Sequence, residues 1–307
     1  MRGLRYLWLL IPGLGVVELL LHAWFAARAP RVEEWRDLAA LVRSEKRAGE
    51  PLVIAPAWAE PLARYAFGDP LFPLAELGRS DDAGARRVLE VSALGARNEA
   101  TRAWRVVSEA EHGRFHLRVL ENPRPVLAAY RFIEHVNPRD LAVAVVQGDQ
   151  VSPCAFTDHA HATAGGLHGE VAFPPERFAC HGLESTFVGI TVIDDQQYRP
   201  RRCIWAQPPP GAALRLTFAG VPLTRQMRGF AGLSFFLFRD SVAPPVKLGL
   251  SSEGTSLGSY LHEDAWGWHA FGVSTPAVAG RTSSVEVEIS AGDGSQRDFC
   301  FVLEAVQ

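Results

Sequence analysis

At 307 residues, with 48% hydrophobic and 21% charged residues and a formal net charge of -3, the chain is long enough for two soluble domains and an anchor. It carries no excess of positive charge for a polyanion, so nucleic acid is excluded as the expected partner. No P-loop or Rossmann glycine fingerprint occurs, which leaves nucleotide and dinucleotide enzymes without their usual anchors.

The first predicted element is the apolar run Tyr6 to Ala27. It has the length of a helix crossing a hydrocarbon core of about 30 Å at roughly 20 residues per crossing. Ala27-Arg28-Ala29 resembles a small-x-small cleavage site, but Pro30 follows it, so the run reads as an uncleaved anchor rather than a signal peptide. Arginines stand on both sides of it, Arg2 and Arg5 before and Arg28, Arg31, Arg36 and Arg43 after, so positive charge does not orient it. Within the run Glu18 and His22 lie four residues apart, on one helix face. Intramembrane ionisable groups are costly unless they meet protein or water, so this stripe is a candidate docking face for another integral protein.

Val32 to Ala48 carries apolar residues at helical spacing, with acids early and bases late. The run between Pro51 and Pro56 reads as a short strand buried on both faces, and a second helix follows from Ala59 to Phe67. A strand at Arg87 to Val91, a helix from Asn98 to Glu111 and an alternating strand from Phe115 to Leu120 complete a predicted small α/β layer domain over residues 31–140, after an anchor over residues 1–30.

From residue 141 to 307 the pattern changes to short β-rich runs: Leu141 to Val146, Phe187 to Ile193, Ala213 to Phe218, Leu233 to Phe238, Val246 to Leu250, Val285 to Ile289 and Phe299 to Leu303. Gly, Pro, Asp and Ser punctuate them, as expected of an antiparallel β-sandwich of jelly-roll type. All four cysteines fall in this half. An even count without Cys-x-x-Cys suggests two disulfides and an oxidising compartment, the alternative being four buried thiols. Of the three possible pairings, Cys154 with Cys180 and Cys203 with Cys300 is the expected one.

Three constellations could carry chemistry. Asp158, His159 and His161, with His168 and Glu170 following, form the densest group of metal-ligand types. On a strand His159 and His161 share a face and His168 could supply a third imidazole. The intervening Ala162 to Gly166 stretch reads instead as a solvated loop. Tyr260, His262, Glu263, Asp264, Trp266 and Trp268 place aromatics beside acids, the composition of a carbohydrate platform, in which ring faces meet C–H groups and carboxylates accept hydroxyl hydrogens. Alternation makes at least one of the two tryptophans a core residue. The third is the polar loop Asp194 to Arg199 with Arg201 and Arg202, where solvated surface ion pairs are the plainer expectation.

The segment Val32-Glu33-Glu34-Trp35-Arg36-Asp37-Leu38-Ala39, then Pro51 to Trp58, then Pro61-Leu62-Ala63-Arg64-Tyr65, resembles the soluble region after the last membrane helix of polytopic bacterial glycosyltransferases of the protein-mannosyltransferase (GT-C) type. The resemblance covers about a hundred residues and implies an extracytoplasmic position and a link to glycan assembly. Those transferases place their catalytic acid in an early loop between membrane helices. With one span this chain has no such loop, and no catalytic residue carries over. The sequence therefore points to a non-catalytic, cofactor-free accessory module. It would be anchored in the inner membrane by a single span, with soluble domains in the periplasm, and would bind a glycan or a membrane glycosyltransferase complex. A metal-assisted hydrolase using the histidine cluster, or a structural partner of a membrane complex, is the alternative.

Overall fold

The computed structural model describes residues 10–160, 174–182, 186–234, 244–263, 267–292 and 297–307. The chain divides into two compact units, residues 1–73 with 85–124, and residues 74–84 with 125–307.

The first unit begins with α1 (Leu10–Arg28), which is exposed over residues 11–28 except at half-buried Gly15 and is the only helix among the described residues long and apolar enough to cross a membrane. After it come α2 (Val32–Glu45), β1 (Leu52–Ala55), α3 (Glu60–Phe67), β2 (Arg87–Ala93), β3 (Arg105–His112) and β4 (Phe115–Glu121), the strands ordered β1-β2-β4-β3. β1 and β2 are parallel and the other pairs antiparallel. α2 starts where the Glu34 carboxylate accepts the Arg31 backbone N–H at 2.7 Å, satisfying one donor that a helix start leaves open. Its buried stripe of Trp35, Leu38 and Val42 has helical spacing, and the Trp35 ring meets Phe67 of α3 and Phe115 of β4 edge-on. β1 is buried at all four positions.

The expected helix from Asn98 to Glu111 does not form: residues 105–112 are the edge strand β3. Two causes combine. Buried Glu90 on β2 accepts hydrogen bonds from the Asn98 backbone and the Thr101 hydroxyl and pairs with Arg97 and Arg118, which holds residues 97–101 in a non-helical strap. Val106 and Val107, β-branched, then enter a hairpin with β4 through Gly113 at φ 60°. Because neither face of β3 is covered, its sequence shows no strand alternation.

The second unit is an antiparallel β-sandwich, as the sequence predicts. It opens with the short α4 (Leu74–Leu77), continues through β5 (Ala128–Arg131), β6 (Leu141–Gln147), β7 (Gln150–Pro153), β8 (Ala155–Thr157), β9 (Arg177–Ala179), β10 (Phe187–Asp194), β11 (Pro200–Ala206), β12 (Ala213–Pro222) and β13 (Gln226–Leu233), and ends with β14 (Val246–Ser252), β15 (Thr255–His262), β16 (His269–Ser274), β17 (Thr282–Ala291) and β18 (Phe299–Val306). An eight-stranded sheet runs β16-β13-β18-β11-β10-β9-β8, with β5 also on β18, and a six-stranded sheet runs β15-β14-β17-β12-β6-β7. Alternate residues of both sheets, among them Leu214, Leu216 and Phe218, Val285, Val287 and Ile289, and Phe299, Phe301 and Leu303, form one core, the pattern of a sheet with one face turned inward.

The sandwich starts earlier than residue 141. β5 pairs with β18, and Phe132 and Ile133 join the core. β13 runs from Gln226 to Leu233, where Gly229 and Gly232 dilute the apolar signal in the sequence; of the strand expected at Leu233 to Phe238, residues 235–238 lie outside the described ones. Both disulfides have the expected pairing, Cys154–Cys180 and Cys203–Cys300, and no free cysteine remains.

Candidate functional site on the outer face of the eight-stranded sheet

A sandwich strand normally alternates apolar and polar residues, yet β11 is buried at Cys203, Ile204, Trp205 and Ala206 in succession. Both faces of the eight-stranded sheet are therefore covered here. Ile204 and Ala206 face the main core. Cys203 and Trp205 join Phe187, Ile193 and Cys300 in a second apolar cluster, with Trp268 and Val302 against it.

Strand register explains the cluster. Trp205 of β11 stands opposite Cys300 of β18, and Cys300 stands opposite Gly232 of β13. Gly232 has no side chain, so the Trp268 indole lies directly on the β13 backbone: a Cβ at Gly232 would come within 2.7 Å of its Cε3. Phe187 stacks on Trp205 at 5.6 Å and 14°, and the Cys203–Cys300 disulfide ties β11 to β18 beside it. Trp268 keeps part of its surface exposed.

The polar loop after β10 meets this aromatic row. Asp195 is fully buried and its carboxylate accepts N–H groups of Gln197 at 2.8 Å, Arg199 at 3.1 Å and Arg201 Nε at 2.9 Å. Asp195 is thus the organiser of the turn and not half of a solvated ion pair, which corrects the expectation for this loop. The bonds aim Arg201 at Trp268, its guanidinium carbon 5.9 Å from the ring centroid. The Gln197 side chain packs against Gly267, at φ 95°, where a Cβ would lie 2.9 Å from its Nε2. Residues 78–81 pass over the same face: the Gly78 carbonyl accepts the Arg202 N–H at 2.7 Å, and Asp81 accepts from Arg228 Nη1 at 3.0 Å.

Four buried polar atoms of this region, Trp205 Nε1, Trp268 Nε1, Gln196 Oε1 and Asp298 Oδ2, have no hydrogen-bond partner among the described residues. Asp298 lies two residues before Cys300, its backbone carbonyl accepting the Ser234 N–H at 3.0 Å, and Ser234 bridges to Asp195. Burial pushes the Asp298 carboxyl up to about 6. Asp194 is also raised, by burial first and then by Asp195.

Four of the six residues expected to form a carbohydrate site are described, and Trp268 packs apart from Tyr260 and His262. Tyr260 stacks on Phe271 of β16 at 4.4 Å and 11°, where β15 and β16 close one side of the sandwich, and burial raises its phenol pKa. Its Oη lies 3.1 Å from Nδ1 of His262, which is 1% exposed and faces the Phe299 ring. Glu263 is exposed, Trp268 is on the outer face, and Asp264 and Trp266 lie outside the described residues. Of the metal candidates, His159 is exposed and contacts neighbouring Asp158 at 3.0 Å; His161 and His168 lie outside the described residues. No group of three metal-binding side chains occurs among those described. Glu18 and His22 are exposed on α1. Gly254-Thr255-Ser256-Leu257-Gly258 spells the Gly-x-Ser-x-Gly pattern of a nucleophile elbow, but it forms the β14–β15 hairpin and not a strand-to-helix turn, so the context that makes such a serine reactive is missing.

Sequence reasoning missed Trp205, Phe187 and Gly232. The available signal was the unbroken apolar run Cys203 to Ala206, too long for a strand with one wet face.

No protein-family model matches the chain, and no curated protein matches it significantly. Among solved structures it is similar to a carbohydrate-binding module of the β-sandwich superfamily, with a TM-score of 0.31, 8% identity and coverage of 63% of this chain and 66% of that one. It is also similar to CBM51 from Clostridium perfringens GH95, solved with methyl-galactose, with a TM-score of 0.25, 10% identity and coverage of 38% and 79%. A cyclase from Fischerella sp. TAU scores 0.25 at 11% identity, covering 53% and 86%. At these scores neither a ligand nor a lineage carries over to this chain.

Proposed function

We propose that this chain is a non-catalytic, membrane-anchored extracytoplasmic module that binds carbohydrate on the outer face of its eight-stranded sheet, in the service of glycan assembly. The observation that carries the binding reading is the partly exposed Trp268 indole, seated on the bare backbone of Gly232 with a guanidinium fixed beside it. An indole face suits the C–H surface of a pyranose ring. Arg201 uses Nε for Asp195 and Nη1 for the Arg79 carbonyl, so Nη2 is the donor it would turn to a hydroxyl. The Gln197 amide adds a donor and an acceptor.

The anchoring reading rests on α1, 19 residues long and exposed from Ile11 to Arg28 except at half-buried Gly15, which needs an apolar solvent of its own. Two disulfides in the sandwich favour an oxidising compartment. A place beside a membrane glycosyltransferase, suggested by the resemblance of residues 32–65, belongs to the same proposal.

A glycan array followed by calorimetry on the best ligand tests the site. Trp268→Ala should weaken binding at least tenfold. It should cost less than the about 3–5 kcal/mol expected of a sealed indole, because Trp268 keeps part of its surface in solvent. Binding unchanged in Trp268→Ala and Arg201→Gln, or no glycan bound by the wild type, would show that this face is structural.

A further inference from the structure

α1 presents a stripe that lipid alone does not satisfy. Ile11, Gly15, Glu18, His22 and Phe25 recur at spacings of four and three and therefore share one face of the helix. Glu18 stands near the middle of the apolar run and His22 one turn later, both exposed. Nothing lies within 4 Å of the position a Gly15 Cβ would take, so a second backbone can approach there. No other helix among the described residues qualifies as a span, so these residues contain no second transmembrane helix against which to bury the stripe.

We propose that α1 pairs in parallel with α1 of a second copy of this chain along this stripe. The argument for a second copy is self-complementarity. An acid and a base one turn apart on one face meet the same pair in a two-fold arrangement, so that each Glu18 carboxylate accepts from His22 of the other copy. Without a partner the two groups, even where they meet each other one turn apart, face hydrocarbon, where ionisable groups are rarely found. The proposal rests on reading α1 as a membrane span.

The test uses the full chain in native membranes. Ile11→Cys places a thiol on the stripe and Gly13→Cys places one on the opposite face at similar depth. Copper-phenanthroline oxidation should give a disulfide-linked dimer with the first and at least tenfold less with the second. Adding Glu18→Leu with His22→Leu to Ile11→Cys should cut that crosslink at least tenfold. The exchanged pair Glu18→His with His22→Glu should restore it to within twofold, a rescue that general hydrophobic contact would not give. Equal crosslinking with the leucine pair, or a stoichiometric crosslink to a different protein with none to itself, would overturn the second-copy assignment. Extraction of the wild type by alkaline carbonate would overturn the span on which the proposal depends, and is scored separately from the crosslink.

Discussion

The Asp298 carboxyl, raised by burial to about 6, makes the stability of the sandwich depend on pH. A carboxyl whose folded pKa exceeds its unfolded value of about 3.9 binds its proton more tightly in the folded state. The resulting stabilisation is fully present below about pH 4 and is lost as pH rises through about 6. Replacing Asp298 by Asn removes the titration. Urea unfolding of wild type and Asp298→Asn between pH 4 and 7 should show the wild type losing about 2–3 kcal/mol relative to the variant over that interval. Parallel curves would mean that the carboxyl is solvated in the folded protein. Asp195, also buried, is built into its loop by two backbone N–H groups and the Arg201 guanidinium. Nothing in the sequence distinguishes the two aspartates, since their surroundings are assembled from other strands.

β11 and β18 join the main core on one face and the Trp205 cluster on the other. The Cys203–Cys300 disulfide joins them across a sequence separation of 97, whereas Cys154–Cys180 spans 26. In the chain-entropy account the longer closure stabilises more, about 4.7 against about 3.5 kcal/mol. Thermal melts should therefore place the Cys203→Ser, Cys300→Ser double variant below the Cys154→Ser, Cys180→Ser one, by about 1 kcal/mol or more, since the first also opens a fully buried site. The reverse order would show that denatured-state entropy does not govern this sandwich. β3 marks the limit of reading elements from sequence. Its expected helix was decided against by Glu90, which belongs to another strand, and by a pairing with β4 that no local pattern announces.

For the whole molecule, the anchoring and compartment readings make a joint prediction. In cells that express the full chain, it should stay in membranes through alkaline carbonate extraction. Its four cysteines should resist a membrane-impermeant maleimide–polyethylene glycol until a reductant is added. No labelling of intact cells even after the reductant, with labelling once the cells are lysed without it, would place the sandwich in a reducing compartment. The division into two units differs from the expected cut at residue 140, because residues 74–84 run with the sandwich and residues 85–124 return to the small sheet. A chain that crosses between units in this way shows no composition break at the crossing points.

Local order was legible wherever its cause was local. The apolar length of α1, the stripe of α2, the doubly buried β1, the β-rich second half and the even set of cysteines all follow from hydrophobic period, residue type and count, which each segment carries by itself. The candidate site was legible only in pieces. Trp268 and the loop from Asp194 to Arg202 stood out as separate aromatic and polar groups, while Tyr260 and His262 looked equal to Trp268 and fold away from it. What joins Trp268 to Arg201 is the register of β13, β18 and β11, a bare Gly232, and a buried Asp195. Register sets which face of a sheet a side chain meets, and it is decided by pairing between strands distant in sequence. That pairing exists only in the folded chain.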